Sequence, residues 1–321
     1  MTQTAMDKKT ERMLLLYQRL FDGEVINKAE MAEECQVNVR SIQRDIDDLR
    51  AYLSNRSIET GDIQDICYDR KLGGYYLSHG SSKMTGSEIL AVCKIILESR
   101  AFTKKELEPI MRKLLYNCAI PSERKMITDL IANEQYHYIE PHHQTEFISR
   151  MWEIGTAVKE QRYMAIEYAK LGVSDTVSRL VKPVGIMFSE FYFYLIAYIE
   201  SEITKEQEYD SPAIYRIDRI KSFVVQDRRF AVPYKNRFEE GEFRKRVQFM
   251  HGGELQRIVF EYSGLSLEAI LDRLPTAVVL EEKDNSDGRK CFLIRAEVFG
   301  PGVDMWLKSQ GDKVRIISRN R

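Results

Sequence analysis

The sequence predicts an α+β multidomain protein, and three observations predict it. Apolar residues recur at helical spacing through most of the first 160 positions, interrupted by one short hairpin pattern. From Arg162 the period changes to two, with Met164, Ile166 and Tyr168 alternating with Ala165 and Glu167. The chain has 321 residues, whereas one domain ordinarily takes roughly 100–200.

Residues 7–21 read as a helix with a wide apolar face, closed by Gly23 as a C-cap. Asn27 caps the next helix, with Glu30 at capping-box spacing, and Asn38 caps a third. In that third segment, VNVRSIQRDIDDLRAYL (37–53), Val39, Ile42, Ile46, Leu49 and Leu53 step by three and four along one helix face. Long helix, short helix, tight turn, helix is the helix-turn-helix order. DIQDICY and GYYLS then read as two strands joined by DRKLGG, a hairpin placed as a wing, and 79–87 reads as a linker.

Residues 87–133 read as helical, with Ser87 as a cap, one helix over 104–118, a break at Pro121 and another over 122–132. A further helix spans 145–161. Strand patterns follow at 179–188, 191–200 and 213–225, with a polar hairpin loop between 200 and 213. The last segment reads strand (256–262), helix (266–273), strands (276–282 and 290–299), helix (301–310) and strand (313–318).

A composition of 44% hydrophobic and 30% charged residues predicts packed domains rather than disorder. Net charge is −1, and residues 1–80 hold 11 Lys plus Arg against 14 Asp plus Glu, a difference of −3. Any nucleic-acid contact must therefore come from a local patch. No apolar run reaches the ~20 residues of a membrane span. The N-terminus has no signal-peptide core, and the five cysteines form no CxxC pair. These features predict reduced thiols in a cytoplasmic protein.

The third helix carries the first candidate site. Arg40, Ser41, Gln43 and Arg44 fall off its apolar face near its start. Arginine reads guanine bidentately, glutamine suits adenine, and serine reaches phosphate. Asp45, Asp47 and Asp48 would repel phosphate if they faced it, so Asp45 is expected to pair locally. The competing reading is an ordinary solvated face. Arg70 and Lys71 at the hairpin tip are placed for phosphate or minor-groove contact.

The enzyme readings are weak. His137, His142 and His143 stand close together without an HExxH or cysteine partner, and Ser189 lacks the glycines of a nucleophile elbow. No phosphate-binding loop or dinucleotide fingerprint occurs. No catalytic residue, metal or cofactor is expected.

Three blocks carry a family resemblance. VNVRSIQRDIDDL resembles a winged-helix pattern in which a capping residue precedes Arg, Ser or Thr, Ile, then Arg-Asp-Ile. VKPVGIMFSEFYFYLIAYIE followed by YRIDRIKSFVV resembles the WYL domain, whose naming Trp-Tyr-Leu stands here as Phe193-Tyr194-Leu195. VDMWLKSQGDKVRII resembles the close of the small extension that often follows a WYL domain. In this order the chain is similar to bacterial regulators with an N-terminal winged helix and a C-terminal WYL domain.

That resemblance implies four parts: a winged helix-turn-helix DNA-binding domain (1–80), a helical linker (81–140), a WYL domain (141–235) built as an SH3- or Sm-like β-barrel, and a small α/β C-terminal extension (236–321). It implies a homodimer on a double-stranded operator and an anionic effector, a single-stranded nucleic acid or a nucleotide. It raises Tyr194 as the stacking residue for that effector. Arg216 and Arg219 flank Asp218 and can line one pocket only if the strand ends or bulges there; Arg179 and Lys182 could complete a basic cluster. The expected function is an effector-sensing transcriptional regulator. The rival is a nucleic-acid-binding accessory protein of a defence or repair system, without operator specificity.

Overall fold

The computed structural model describes residues 6–60, 64–79, 84–119, 121–172, 175–200, 212–232, 234, 237–284 and 290–320. Residues 80–83 of the linker read at 79–87 and 201–211 of the loop read between 200 and 213 lie outside them. The fold is mixed α and β, and it divides into two compact units, Met1–Glu140 and Pro141–Arg321.

The first unit opens with three helices, α1 (Met6–Phe21), α2 (Lys28–Glu34) and α3 (Val39–Thr60), and a hairpin, β1 (Gln64–Asp69) with β2 (Gly74–His79). Gly23 closes α1 at φ 84°, a left-handed conformation that glycine adopts without strain. The Asn27 side chain accepts from Ala29 N–H, and the Asn38 side chain accepts from Arg40 N–H. Ile42, Ile46, Leu49 and Leu53 of α3 are buried with Leu16 and Leu20 of α1, Met31 of α2, and Ile66 and Leu77 of the hairpin. Val39, the first rung of the apolar ladder, is 43% exposed because the opening turn of α3 projects beyond this core. Tyr75 exchanges two backbone hydrogen bonds with Ile26, so the segment before α2 docks against β2. A Cβ at Gly74 would lie 2.6 Å from Val25 Cγ1, which explains a glycine there. Ile46→Ala or Leu49→Ala is expected to cost about 2–5 kcal/mol from lost contacts and the cavity left behind. An unchanged urea midpoint for either variant would show that its side chain is not packed in this core.

The rest of the unit is helical. Thr85, rather than Ser87, caps α4 (Gly86–Ser99) through a capping box with Glu88. The position is decided by which residue stands three before a glutamate that can reach back. Thr103 and Glu106 form the same box on α5 (Lys104–Lys113). The helix expected over 104–118 changes to a π-helical turn at Leu114–Cys118, and Pro121 opens α6 (Pro121–Tyr136). Ile89, Cys93, Leu107, Met111, Ile127 and Ile131 form the shared core.

In the second unit α7 (Ile148–Glu160) packs against β3 (Arg162–Ala169), β4 (Thr176–Ser189) and β7 (Ile220–Arg229). With β5 (Tyr192–Ile199) and β6 (Ala213–Arg216), these strands form an antiparallel sheet of order β6-β5-β4-β3-β7. The single strand expected over 213–225 is broken by a 3-10 turn, Ile217–Arg219. Past that turn the chain leaves the β5 edge and pairs with β3 at the opposite edge. Among the described residues no ladder joins β6 to β7, so the expected barrel is seen as an open sheet.

The C-terminal part adds α8 (Glu240–Arg246), β8 (Leu255–Tyr262), α9 (Leu267–Arg273), β9 (Val278–Asp284), β10 (Lys290–Phe299), α10 (Gly302–Ser309) and β11 (Val314–Asn320). Its sheet runs β11-β8-β10-β9, all antiparallel, so the βαββαβ order makes a split βαβ arrangement. Phe260, Ile294, Val298, Ile270 and Leu307 are buried between sheet and helices. The sequence reading missed α8, which is short and buries only Phe243.

Candidate nucleic-acid interface and effector face

The acids of α3 decide what that helix can present. Asp45 is 1% exposed and accepts from Arg12 Nε at 2.5 Å. Its hydrogen bond holds the Arg12 pKa above its ordinary value, against the burial that would lower it. The partner is thus on α1, distant in sequence rather than local. Asp48 pairs with Lys9 at 2.9 Å, and Asp47 accepts from Gln43 at 3.0 Å and lies 3.5 Å from Arg50. Lys9 and Arg12 are three apart on α1, as are Asp45 and Asp48 on α3. That matched spacing is the signal by which the sequence could have revealed the pairing. Each acid that threatened to repel phosphate has a cation beside it.

Arg40 and Arg44 are exposed, four apart on one face of α3, and neither side chain makes a hydrogen bond or ion pair among the described residues. Ser41, half-buried, donates its backbone N–H to Asn38 O. Gln43 departs from the expected base-reading role. Its Oε1 accepts from Lys28 Nζ at 2.7 Å and from the Tyr75 hydroxyl at 3.0 Å, while its amide donates to Asp47. Every strong hydrogen-bonding atom of that carboxamide is engaged, and the side chain ties α2, α3 and the hairpin together. Arg50 adds a second tie, donating from Nε to Ile66 O at 2.7 Å with its guanidinium over the Tyr75 ring.

At the hairpin tip Asp69 Oδ1 accepts from the backbone N–H of Lys71 and Leu72. This absorbs the acid into the turn and leaves Arg70 and Lys71 exposed.

In the second unit the 3-10 turn places Asp218 back on Arg216. Arg216 donates from Nε to Asp218 Oδ1 at 3.1 Å and from Nη2 to Oδ2 at 2.8 Å. The guanidinium carbon lies 3.3 Å from the Tyr192 ring centroid. Burial opposes the charge of Arg216, but Asp218 and the neighbouring tyrosines outweigh it and raise its pKa. Tyr194 pairs in register with Arg216, and burial pushes its hydroxyl up to about 12. A tyrosine pair, an ion pair and a broken strand thus meet at the β5–β6 edge. Residues 151–225 match the WYL domain.

Among solved structures the chain is similar to proteasome accessory factor B/C (PafBC) of Arthrobacter aurescens, with 16% identity, a TM-score of 0.28 and coverage of 97% of this chain. This chain spans 44% of that one. It is also similar to a CRISPR Cas-related protein, with 12% identity, a TM-score of 0.33, and coverage of 97% of this chain and 87% of that one. No curated protein matches in sequence.

Within the WYL domain the predicted effector residues do not form one cluster. Arg179 pairs with Ile166 and shares a face with Val181 and Met164. Its charge acts on Tyr215, which pairs with Leu195. Leu195 and Tyr194 are adjacent on β5 and point to opposite faces, so Arg179 and Tyr194 lie on opposite sides of the sheet. Lys182 is 5% exposed, with Nζ 2.7 Å from Glu200, so its charge is matched inside the fold. Arg219 is half-buried in the turn, and its side chain makes no hydrogen bond or ion pair among the described residues. Tyr194 also packs beside Phe243, Val247 and Met250 of the C-terminal part. The sequence reading passed over Tyr192 as a partner of Arg216; its place two residues before Tyr194 on the same strand face was the available signal.

His143, one of three histidines that tempted a metal assignment, accepts from Thr145 N–H through Nδ1. Among the described residues no group of three metal-ligating side chains is found, and no helix is long and apolar enough to cross a membrane.

Proposed function

We propose that this chain is a DNA-binding transcriptional regulator that reads an operator and senses an anionic effector through its WYL domain. In this reading α2, α3 and the β1–β2 hairpin are a winged helix-turn-helix within 1–80, and 81–140 is a helical linker. The WYL domain (141–235) is the open five-stranded sheet with its helix, and 236–321 is its extension. The carrying observation is the neutralised acid row of α3, which leaves Arg40 and Arg44 as exposed cations at the start of the helix, without an ion pair among the described residues. The opening turns of a recognition helix are the part that reaches base edges. Arg70 and Lys71 supply phosphate contacts from the wing, and no residue is assigned catalysis, metal binding or a cofactor. A homodimer would place two such helices on a palindromic site.

Selection of bound DNA from a random pool with the full chain tests the reading. Enrichment of a two-fold-symmetric sequence with half-sites about one helical turn apart, 10–10.5 base pairs, is the expected result. Diffuse recovery without a consensus would favour the accessory protein.

On the effector side, Arg216 is already held by Asp218 and Tyr192, whereas Arg219 makes no hydrogen bond or ion pair among the described residues and is the residue assigned to take an incoming phosphate. Arg219→Ala is expected to weaken binding of a short single-stranded DNA to the full chain by about 1–3 kcal/mol without lowering its melting temperature. Wild-type binding should also weaken as salt rises, through counterion release. A drop in melting temperature with unchanged DNA affinity would assign Arg219 to the scaffold instead.

A further inference from the structure

We propose a second ligand site, for a small phosphomonoester, at the seam between the β4–β5 hairpin and the C-terminal part of the same unit. The inference is independent of the regulator reading. A cavity of about 300 Å³ opens there. Arg244 and Lys245 enter it from α8, Arg273 from the end of α9, and Ser189 from the end of β4.

The cations are incompletely used. Arg244 donates from Nη1 to Phe188 O at 2.7 Å, which positions the guanidinium and leaves its other nitrogens without a hydrogen bond among the described residues. Arg273 lies with its guanidinium 4.5 Å from the Phe249 ring centroid, and its nearest carboxylate oxygen, on Glu190, is 3.7 Å away. Its Nε is buried and makes no hydrogen bond among the described residues. The side chain as a whole is 33% exposed, so a ligand in the cavity would meet the guanidinium through its outer nitrogens rather than through Nε. Ser189 is 8% exposed, and its hydroxyl makes no hydrogen bond among the described residues. Lys245 is paired with Glu242 on its own helix, and Arg273 more loosely with Glu190.

The backbone is held in an uncommon shape at the same place. Phe249 and Met250 are consecutive non-glycine residues at φ 50° and 53°. Strained backbone of this kind persists where surrounding structure demands it, and it gathers at ligand sites. Gln248, 5% exposed, donates from its amide to Arg273 O at 3.4 Å, linking this turn to the end of α9.

The chemistry selects the ligand class. Two arginines, a lysine and a serine hydroxyl offer donors to phosphate oxygens. Glu190 and Asp272, on the cavity wall, accept from hydroxyl groups. A sugar phosphate or a nucleoside monophosphate carries both, and its size suits the cavity. Ser189 pairs in register with Tyr192, so the site shares a hairpin with the ring that stacks on Arg216 but uses different cations.

The test is calorimetric titration of AMP, and separately of inorganic phosphate, into the full chain at constant ionic strength, with adenosine as the phosphate-free control. AMP is expected to bind and adenosine not to. Arg273→Gln should weaken AMP about tenfold or more, and Lys245→Gln by a smaller factor, as charge-assisted hydrogen bonds are lost. Arg219→Ala should leave AMP binding unchanged. Lys245 is half exposed on α8, so its variant decides the matter if Arg273→Gln does not fold. Absence of binding by both AMP and phosphate, equal binding of adenosine, insensitivity to the folded cavity variants, or loss of AMP binding in Arg219→Ala would each overturn the site.

Discussion

Asp45→Ala is expected to lower the stability of the N-terminal unit by about 3–5 kcal/mol, because it strands a largely buried arginine without its partner. The carboxylate is 1% exposed and the Arg12 side chain 13% exposed, so water replaces little of what is lost. The same physics makes a second, opposite expectation. Removing both charges, as Arg12→Met with Asp45→Leu, should recover most of that loss, since neither charge then has to be desolvated. Urea unfolding followed by helical circular dichroism measures both. An Asp45→Ala midpoint equal to wild type would mean that the pair is solvated. A double variant no better than the single would mean that the geometry, rather than the stranded charge, sets the cost.

Arg44→Ala is expected to weaken operator binding by about 1–3 kcal/mol and to relax choice at one base pair, the effect of losing a bidentate contact to a base edge. Arg40→Ala should act similarly or weaken all sequences equally, according to whether it meets a base or a phosphate. Gln43→Ala is expected to behave differently from both. Its carboxamide joins Lys28, Tyr75 and Asp47, so its loss should loosen the hairpin and lower the melting temperature, with no change in preferred sequence. Parallel measurements on the selected operator and on random DNA separate these outcomes. Equal losses on both DNAs for Arg40→Ala and Arg44→Ala would remove base reading from α3. A new base preference in Gln43→Ala would return it to the glutamine.

Much of the fold was legible because the underlying signals are local. The period-three-and-four ladder of Ile42, Ile46, Leu49 and Leu53 needs only a helix and one apolar neighbour, and all four are buried. The reading stopped at Leu53 while α3 runs to Thr60, since the last turns are mostly exposed and carry no apolar rhythm. Short α8 was missed for the same reason. Strand β10 was placed at its observed bounds, 290–299, because Phe292, Ile294, Ala296 and Val298 alternate to one buried face.

The candidate sites were less legible, because a residue's type states its chemistry but not its partner. By itself the sequence determined the helix and strand periods, the tight glycine turns, the exposed arginines at the start of α3 and the tyrosine-rich strand that the WYL match covers. Those follow from one residue's relation to near neighbours. Only the tertiary structure decided that Asp45 faces Arg12, that Gln43 is consumed in holding the hairpin, that Lys182 is matched by Glu200, and that Arg179 and Tyr194 lie on opposite faces of their sheet. Those depend on which faces pack together and on where a strand breaks, and a single charge or hydrogen bond follows whichever partner that packing brings within about 3 Å.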